Sequence, residues 1–331
     1  MLRRLTVWIA SLTIGMLVMA MVLASAAHAQ ATTPAADREV SVDGGRAPLY
    51  GALLSPPGAR PGPAVLLIAG SGPTDRDGNS AAPSVKPANL KLIAQGLAAA
   101  GVTSLRYDKR GLGKSAPAML QEADLRFTTY VDDAAAFARF LKAQPQVTCV
   151  VILGHSEGAL IAALAAQKVA TCGVIEVSGI GRPLGVVLRE QLAAGPMPAS
   201  LREQSNAALT ELEHGRPVAN IPGLEAFFRP SVQPYLISQL TLDPTQALAA
   251  VKAPVLILQG DNDLQVQVED AQRLHAARPD ARLVILPGVN HILKEAPRDR
   301  AGNIATYADP DRPLAPGVMP AILAFVRSAA H

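Results

Sequence analysis

Residues 147–169 read VTCVVILGHSEGALIAALAAQKV. The apolar run 147–153 has the length of a buried β-strand, and residues 159–169 have the composition of a helix. Between them, residues 154–158 read GHSEG, with a glycine two positions to either side of the serine. A sharp turn from strand to helix leaves no room for Cβ atoms beside the neighbouring strand and helix, which explains the glycines. The pattern therefore predicts a turn that lifts the Ser156 hydroxyl clear of a sheet.

The rest of the chain shows the same alternation of strand and helix patterns. Short apolar runs predict strands at 64–69, 102–107, 147–153, 173–177, 254–259 and 281–286. The segments between them predict helices at 86–100, 128–143, 159–169, 266–277 and 316–329. This alternation is typical of an α/β fold whose mostly parallel central sheet is covered by helices on both faces. The segments 39–42 and 49–54 predict an antiparallel hairpin at the sheet edge.

The alternation stops between about residues 181 and 250. This stretch is helical but irregular, and it contains six prolines: Pro196, Pro198, Pro217, Pro222, Pro230 and Pro234. Because the sheet needs the strands on both sides of this stretch, we expect a helical lid insertion over about 181–250 and not a separate domain.

A serine hydroxyl is a weak nucleophile unless a general base activates it, and histidine suits that task. His291 stands in a loop directly after the last predicted strand. The carboxyl ends of parallel strands meet at one edge of a sheet, so this loop is expected near Ser156. The other histidines past residue 29 are placed less well: His155, inside the turn and directed away from Ser156, His214 in the insertion, His275 in a helix and His331 at the chain end. We therefore predict that His291 is the base.

The imidazole of such a base needs an acid that fixes its tautomer. Asp261 and Asp263 both follow the predicted strand 254–259, and spacing alone leaves either of them open. Either could instead cap the helix expected over 264–277, since aspartate is favoured at that position.

A tetrahedral intermediate at Ser156 would need backbone N–H donors for its oxyanion. One predicted donor is the N–H of Glu157, directly after the serine. The other is the N–H of Ser71, in the turn GSG at 70–72 that follows the strand 64–69. A glycine turn after a strand is also common without such a role.

The two cysteines, Cys149 and Cys172, each lie just before an apolar run of strand type, 150–153 and 173–177. If these runs are neighbouring parallel strands, both thiols lie at the same end of the sheet, and an oxidising compartment would let them form a disulfide. The alternative is two buried free thiols.

The N-terminus predicts export. Arg3 and Arg4 precede an apolar run over 5–23, and Ala27-His28-Ala29 follows, which are the three parts of a secretory signal peptide. We expect cleavage after Ala29 and a periplasmic or secreted protein. A retained membrane anchor over 5–23 is the alternative; after cleavage no membrane span is expected.

Composition excludes several classes of protein. The formal charge is +3, and loss of the two arginines with the leader lowers it to +1. No basic stripe of the kind that binds nucleic acid is visible. Six histidines and two cysteines do not form a zinc-ligand pattern, and no metal or organic cofactor is expected.

Three motifs together resemble the α/β-hydrolase superfamily over roughly residues 40–330: GHSEG at 154–158, GDND at 260–263 and Asn290-His291. The segment 108–115, DKRGLGKS, matches a structural turn of the superfamily. The loop 70–78, GSGPTDRDG, is similar to that of a bacterial carboxylesterase group related to serine aminopeptidase (S33-like) hydrolases.

The resemblance also bears on individual residues. The family pattern G-x-x-D-x-x-V falls on 260–266 and implies Asp263 as the acid. The common His-Gly of the family is Ala69-Gly70 here, a small departure because a backbone amide acts at that point.

The resemblance implies an α/β-hydrolase fold over 30–331 and a serine hydrolase that cleaves carboxylic esters of small molecules through an acyl-enzyme. The N-terminal pattern adds the expectation that this hydrolase is exported. The alternatives are a serine aminopeptidase acting on short peptides and, from another class, a non-catalytic binding protein on the same fold. Asp75, Arg76 and Asp77 either line the cleft and bind a polar substrate group or bond to each other and shape their loop.

Overall fold

The computed structural model describes residues 36–82, 84–194 and 197–329. The predicted signal peptide, 1–29, lies outside the described residues. In the described chain one sheet contains eight strands: β1 (Asp37–Val42), β2 (Leu49–Leu54), β3 (Gly62–Ile68), β4 (Thr103–Tyr107), β5 (Val147–His155), β6 (Gly173–Val177), β7 (Val255–Gly260) and β8 (Arg282–Leu286). Their order is β1-β2-β4-β3-β5-β6-β7-β8. The six strands β4, β3, β5, β6, β7 and β8 pair in parallel with one another in this order. β1 and β2 are antiparallel and form the predicted edge of the sheet.

Helices cover both faces of this sheet, which confirms the predicted α/β fold. The described α-helices are α1 (Asn89–Ala99), α2 (Phe127–Lys142), α3 (Glu157–Ala165), α4 (Leu184–Ala193), α5 (Ala199–Glu213), α6 (Glu225–Phe228), α7 (Gln233–Leu240), α8 (Pro244–Ala249), α9 (Val268–Ala277), α10 (Arg300–Ala305) and α11 (Val318–Ser328). In β3, Leu66 and Ile68 pack in the core beneath α2 and α3, whereas Val65 and Leu67 pack beneath α1 and α11. The strand is continuously apolar because it is buried on both faces.

Helix α1 begins later than the sequence predicts. The helix predicted over 86–100 begins only at Asn89, because the Lys86 N–H donates to the Tyr307 carbonyl at 2.8 Å and Ala88 has a left-handed φ of 51°. The short helix α10 was not expected from the sequence. No helix in the described part of the chain is long and apolar enough to cross a bilayer.

The segment between β6 and β7 contains five described helices, α4 to α8. Four of them share a small apolar core of their own: Leu188, Ala208, Leu209, Leu212, Phe228, Leu236 and Leu240. Helix α8 instead packs into the main core through Ala247 and Leu248. The segment therefore has separate internal packing but is joined firmly to the sheet at its end.

The structure joins Cys149 and Cys172 in a disulfide, with their Cα atoms 5.9 Å apart. The strands concerned, β5 and β6, are parallel neighbours, and the Cys172 N–H donates to the Val150 carbonyl at 3.0 Å. Cys149 lies inside β5, in agreement with the strand predicted over 147–153, and Cys172 directly precedes β6. The bond ties the amino-terminal ends of two central strands.

Replacing both cysteines by serine should lower the free energy of unfolding by about 3 kcal/mol, because the bond closes a loop with a separation of 23 residues. Urea unfolding of the double variant measures this loss, and wild type in reductant is the matched control. Activity should change little, since the bond lies at the opposite end of β5 from Ser156. Equal stability of oxidised wild type and variant would contradict the prediction.

Candidate active site

Ser156 occupies a strained turn between β5 and α3. Its φ and ψ are 57° and −122°, and its N–H donates to the Val177 carbonyl at 2.8 Å. A Cβ atom on Gly154 would lie 1.9 Å from the Gly158 carbonyl oxygen, and one on Gly158 would lie 2.6 Å from the Ile68 carbonyl oxygen. Both glycines of the GHSEG motif are therefore required by the close packing of this turn.

His291 and Asp263 are held together at the same sheet edge. His291 Nδ1 lies 2.7 Å from Asp263 Oδ2, and the two side chains are only 6% and 1% exposed. The other Asp263 oxygen accepts the N–H groups of Gln265 and Val266 at 2.7 and 3.0 Å. Burial opposes ionisation of Asp263, but His291 and these backbone donors outweigh it and hold the pKa of the carboxyl below its ordinary value.

The ionised Asp263 fixes the tautomer of the imidazole. A carboxylate only accepts hydrogen bonds, so His291 Nδ1 carries the proton and Nε2 is left as the basic nitrogen. The pair can therefore take a proton at Nε2 and stabilise the resulting charge.

Asp261, the alternative left open by spacing, does not contact His291. Its Oδ1 accepts the Gly288 N–H at 2.7 Å and its Oδ2 lies 3.2 Å from Arg298 Nη2, so it supports the loop that leads to His291. The helix expected from residue 264 begins only at Val268, because the segment before it forms the turn around the Asp263 carboxylate.

His155 has a role that sequence reasoning missed. Its Nε2 lies 2.7 Å from the His291 carbonyl oxygen, and the two rings are 4.8 Å apart between centroids. Burial, with a smaller contribution from His291, lowers the pKa of His155 to about 4. The ring is therefore neutral near pH 7, and Nε2 donates to the carbonyl. The turn that carries Ser156 thus holds the loop that carries His291. In the sequence, the signal for this contact was the histidine directly before Ser156.

Asn290 secures the same loop from the other side. Its Nδ2 donates to Thr306 Oγ1 at 2.8 Å and to Asn303 Oδ1 at 3.2 Å, and its Oδ1 accepts the Lys294 N–H at 3.1 Å. Asn303 lies in α10 and Thr306 directly follows it, so the helix that sequence reasoning missed helps to position His291.

One predicted oxyanion donor directly follows Ser156 in the chain, and the other belongs to a loop whose Gly70 packs against Ser156. Glu157 is the first residue of α3, so its N–H has no intrahelical partner. A Cβ atom on Gly70 would lie 3.1 Å from Ser156 Cβ, which places the Gly70–Ser71 peptide against the serine.

The side chains of Asp75, Arg76 and Asp77, in the loop after β3, bond to neighbouring groups of the protein. Asp75 accepts the N–H groups of Asp77 and Asn79 at 2.9 and 2.8 Å. Arg76 Nε donates to Asp108 at 2.9 Å, and Arg106 Nε donates to Asp77 at 2.8 Å. These contacts favour the loop-shaping role over substrate binding.

Known proteins share this architecture. Residues 65–301 match the sequence profile of the alpha/beta hydrolase family. The chain is 28% identical to Esterase EstD of Thermotoga maritima over 267 residues, which cover 78% of this chain and 60% of that protein's length.

Two solved structures share the fold at low sequence identity. Est1E from Butyrivibrio proteoclasticus, solved with ferulic acid bound, aligns with a TM-score of 0.55 at 20% identity over 82% of this chain and 96% of that one. The alpha/beta hydrolase GrgF from Penicillium sp. sh18 aligns at 0.56 and 19% identity over 90% and 99%. With the profile match spanning most of the sheet and the strand–turn–helix at Ser156, the chain belongs to the alpha/beta hydrolase family.

Proposed function

We propose that this chain is an exported serine esterase in which Ser156, His291 and Asp263 form the catalytic triad. The observation that carries the proposal is the double attachment of His291: its Nδ1 to Asp263 at 2.7 Å and its carbonyl to His155, the residue before Ser156, at 2.7 Å. These contacts hold the His291 loop against the turn that carries Ser156, which supports a basic nitrogen within reach of the serine, as nucleophilic acyl transfer requires.

The reaction proceeds in two halves. Ser156 Oγ attacks the ester carbonyl while His291 Nε2 takes its proton, and the N–H groups of Ser71 and Glu157 donate to the oxyanion. The C–O bond to the alcohol breaks as His291 returns the proton to the leaving oxygen. Water, deprotonated by His291, then attacks the acyl-enzyme, and collapse releases the carboxylic acid and restores Ser156.

The relative EstD supports esters as the substrate class, since it is named an esterase. An aminopeptidase would need a free carboxylate to hold the substrate amine. Glu225 accepts the N–H of Gly223 in its own turn, and Glu157 is 8% exposed and bound by Tyr235. Neither carboxylate favours the peptidase alternative.

We propose that the helices over 184–249 form the lid and set the acyl-chain preference. Tyr235 in α7 supports this, because its hydroxyl donates to Glu157 Oε2 at 2.9 Å, directly beside Ser156. Export is supported by the Cys149–Cys172 disulfide, since such bonds persist in oxidising compartments. The Ala27-His28-Ala29 sequence supports cleavage after Ala29.

A paired substrate panel tests the proposed function. Purified protein is offered p-nitrophenyl esters from acetate to palmitate and, in parallel, aminoacyl p-nitroanilides. We expect turnover of esters, with a maximum at one range of chain length, and little or no anilide cleavage. Anilide cleavage without ester turnover would establish the peptidase alternative, and silence on both panels would favour a binding protein.

A further inference from the structure

Lys109 is a buried cation that the proposed triad does not use. It lies in the turn that follows β4, and its side chain is only 3% exposed. Lysine is almost never fully buried unless it is paired, because desolvation of the ammonium group is costly. Its partners therefore indicate what the charge is for.

The first partner is the Gly70 carbonyl. Lys109 Nζ donates to this oxygen at 2.5 Å. The Gly70 carbonyl and the Ser71 N–H belong to one planar peptide unit, so a bond to the oxygen also fixes the direction of the N–H. A charged donor on the carbonyl polarises the peptide and strengthens its N–H as a donor on the far side.

The second partner is Glu157. Its Oε1 lies 3.9 Å from Lys109 Nζ, and its backbone N–H is the other proposed oxyanion donor. The Tyr130 ring completes the surroundings, with its centroid 5.5 Å from Nζ, within the range of a cation–π contact. One ammonium group thus contacts the carbonyl of the Gly70–Ser71 peptide and the side chain of Glu157, the two units that carry the proposed oxyanion donors.

We propose that Lys109 is the positioning residue of the oxyanion hole: it holds the Gly70–Ser71 peptide and the first turn of α3 in place and polarises the Ser71 donor. The inference rests on the proposed function. A buried ion pair alone is weak evidence for stability, since its desolvation cost can exceed its attraction. The contact with the Gly70 carbonyl instead gives the buried Lys109–Glu157 pair a role in the reaction.

The test compares Lys109→Met, Glu157→Gln and the double variant with wild type. The single Lys109→Met change should lower kcat on the best ester by about 10- to 100-fold with KM little altered, because the donors act mainly in the transition state. Affinity for a trifluoromethyl ketone, which forms a tetrahedral adduct with the serine, should fall by the same factor.

The double variant separates positioning from folding. Lys109→Met alone leaves the Glu157 carboxylate buried without its cation, so its thermal stability should fall. In Lys109→Met/Glu157→Gln stability should recover, whereas kcat and ketone affinity should stay low. Arg110→Met is the matched control: it removes a buried cation from the same loop whose partner is Asp133 in α2 and not an oxyanion donor, so kcat should remain near that of wild type even where stability falls.

Recovery of kcat together with stability in the double variant would overturn the inference, because Lys109 would then only neutralise Glu157. Full activity of Lys109→Met would overturn it as well. Both results leave the esterase proposal intact, because wild type is active in each. A wild type that hydrolyses no ester defeats the proposed function and this inference with it.

Discussion

Ser156→Ala is expected to abolish ester hydrolysis, with kcat falling by about 10⁶-fold. The serine oxygen forms the bond to the acyl group, and no neighbouring group replaces it in the proposed mechanism. The variant keeps the backbone N–H of residue 156, which donates to the Val177 carbonyl at 2.8 Å. Steady-state hydrolysis of the best p-nitrophenyl ester, with thermal unfolding measured alongside, checks the result.

Ser178→Ala is the matched control for this variant. Ser178 directly follows β6, is fully buried and has a left-handed φ of 50°, close to the 57° of Ser156. Both substitutions therefore place alanine at a positive φ and remove one hydroxyl each. Ser178→Ala should retain wild-type kcat within about threefold, as expected for a group outside the reaction. Comparable activity of the two variants would contradict the assignment of the nucleophile.

Asp263→Asn should lower kcat by about 10⁴-fold while the fold is kept. The substituted side chain retains an oxygen for the N–H groups of Gln265 and Val266, which Asp263 accepts at 2.7 and 3.0 Å. Its amide group, however, would donate where His291 Nδ1 must donate. His291 is then driven to the tautomer with the proton on Nε2, which cannot act as the base.

Asp261→Asn is the matched control, because Asp261 lies in the same loop after β7 as Asp263. The change preserves an oxygen for the Gly288 N–H and removes only the charge opposite the exposed Arg298. Since surface ion pairs contribute little, kcat should stay within about threefold of wild type. A larger loss in Asp261→Asn than in Asp263→Asn would reverse the assignment of the acid.

The main features of the fold were predictable because they depend on local pattern. Strands buried on both faces are continuous apolar runs, as in β3, and the glycines around Ser156 mark a turn that excludes Cβ atoms. The loops after β7 and β8 could be placed at the Ser156 edge from the parallel topology alone. This is why the sequence brings Asp263 and His291 to the same edge as Ser156.

The supporting contacts were not predictable, because they join residues that are distant in sequence. His155 and the His291 carbonyl are 136 positions apart, and Lys109 and the Gly70 carbonyl are 39 positions apart. Neither pair has a periodicity or a turn signature that could indicate it. Helix α10 was missed because its six residues are too few for a periodic pattern, and because its buried Asn303 is held by a hydrogen bond from the distant Asn290.

Fluorophosphonate labelling with peptide mapping identifies the nucleophile of the protein directly. The reagent reacts with serines that a neighbouring base activates, and mass spectrometry of the digest locates the adduct. We expect a single adduct on Ser156 in wild type and no adduct in Ser156→Ala, with Ser178→Ala labelled like wild type. An adduct on another residue, or no labelling of a folded protein, would contradict it.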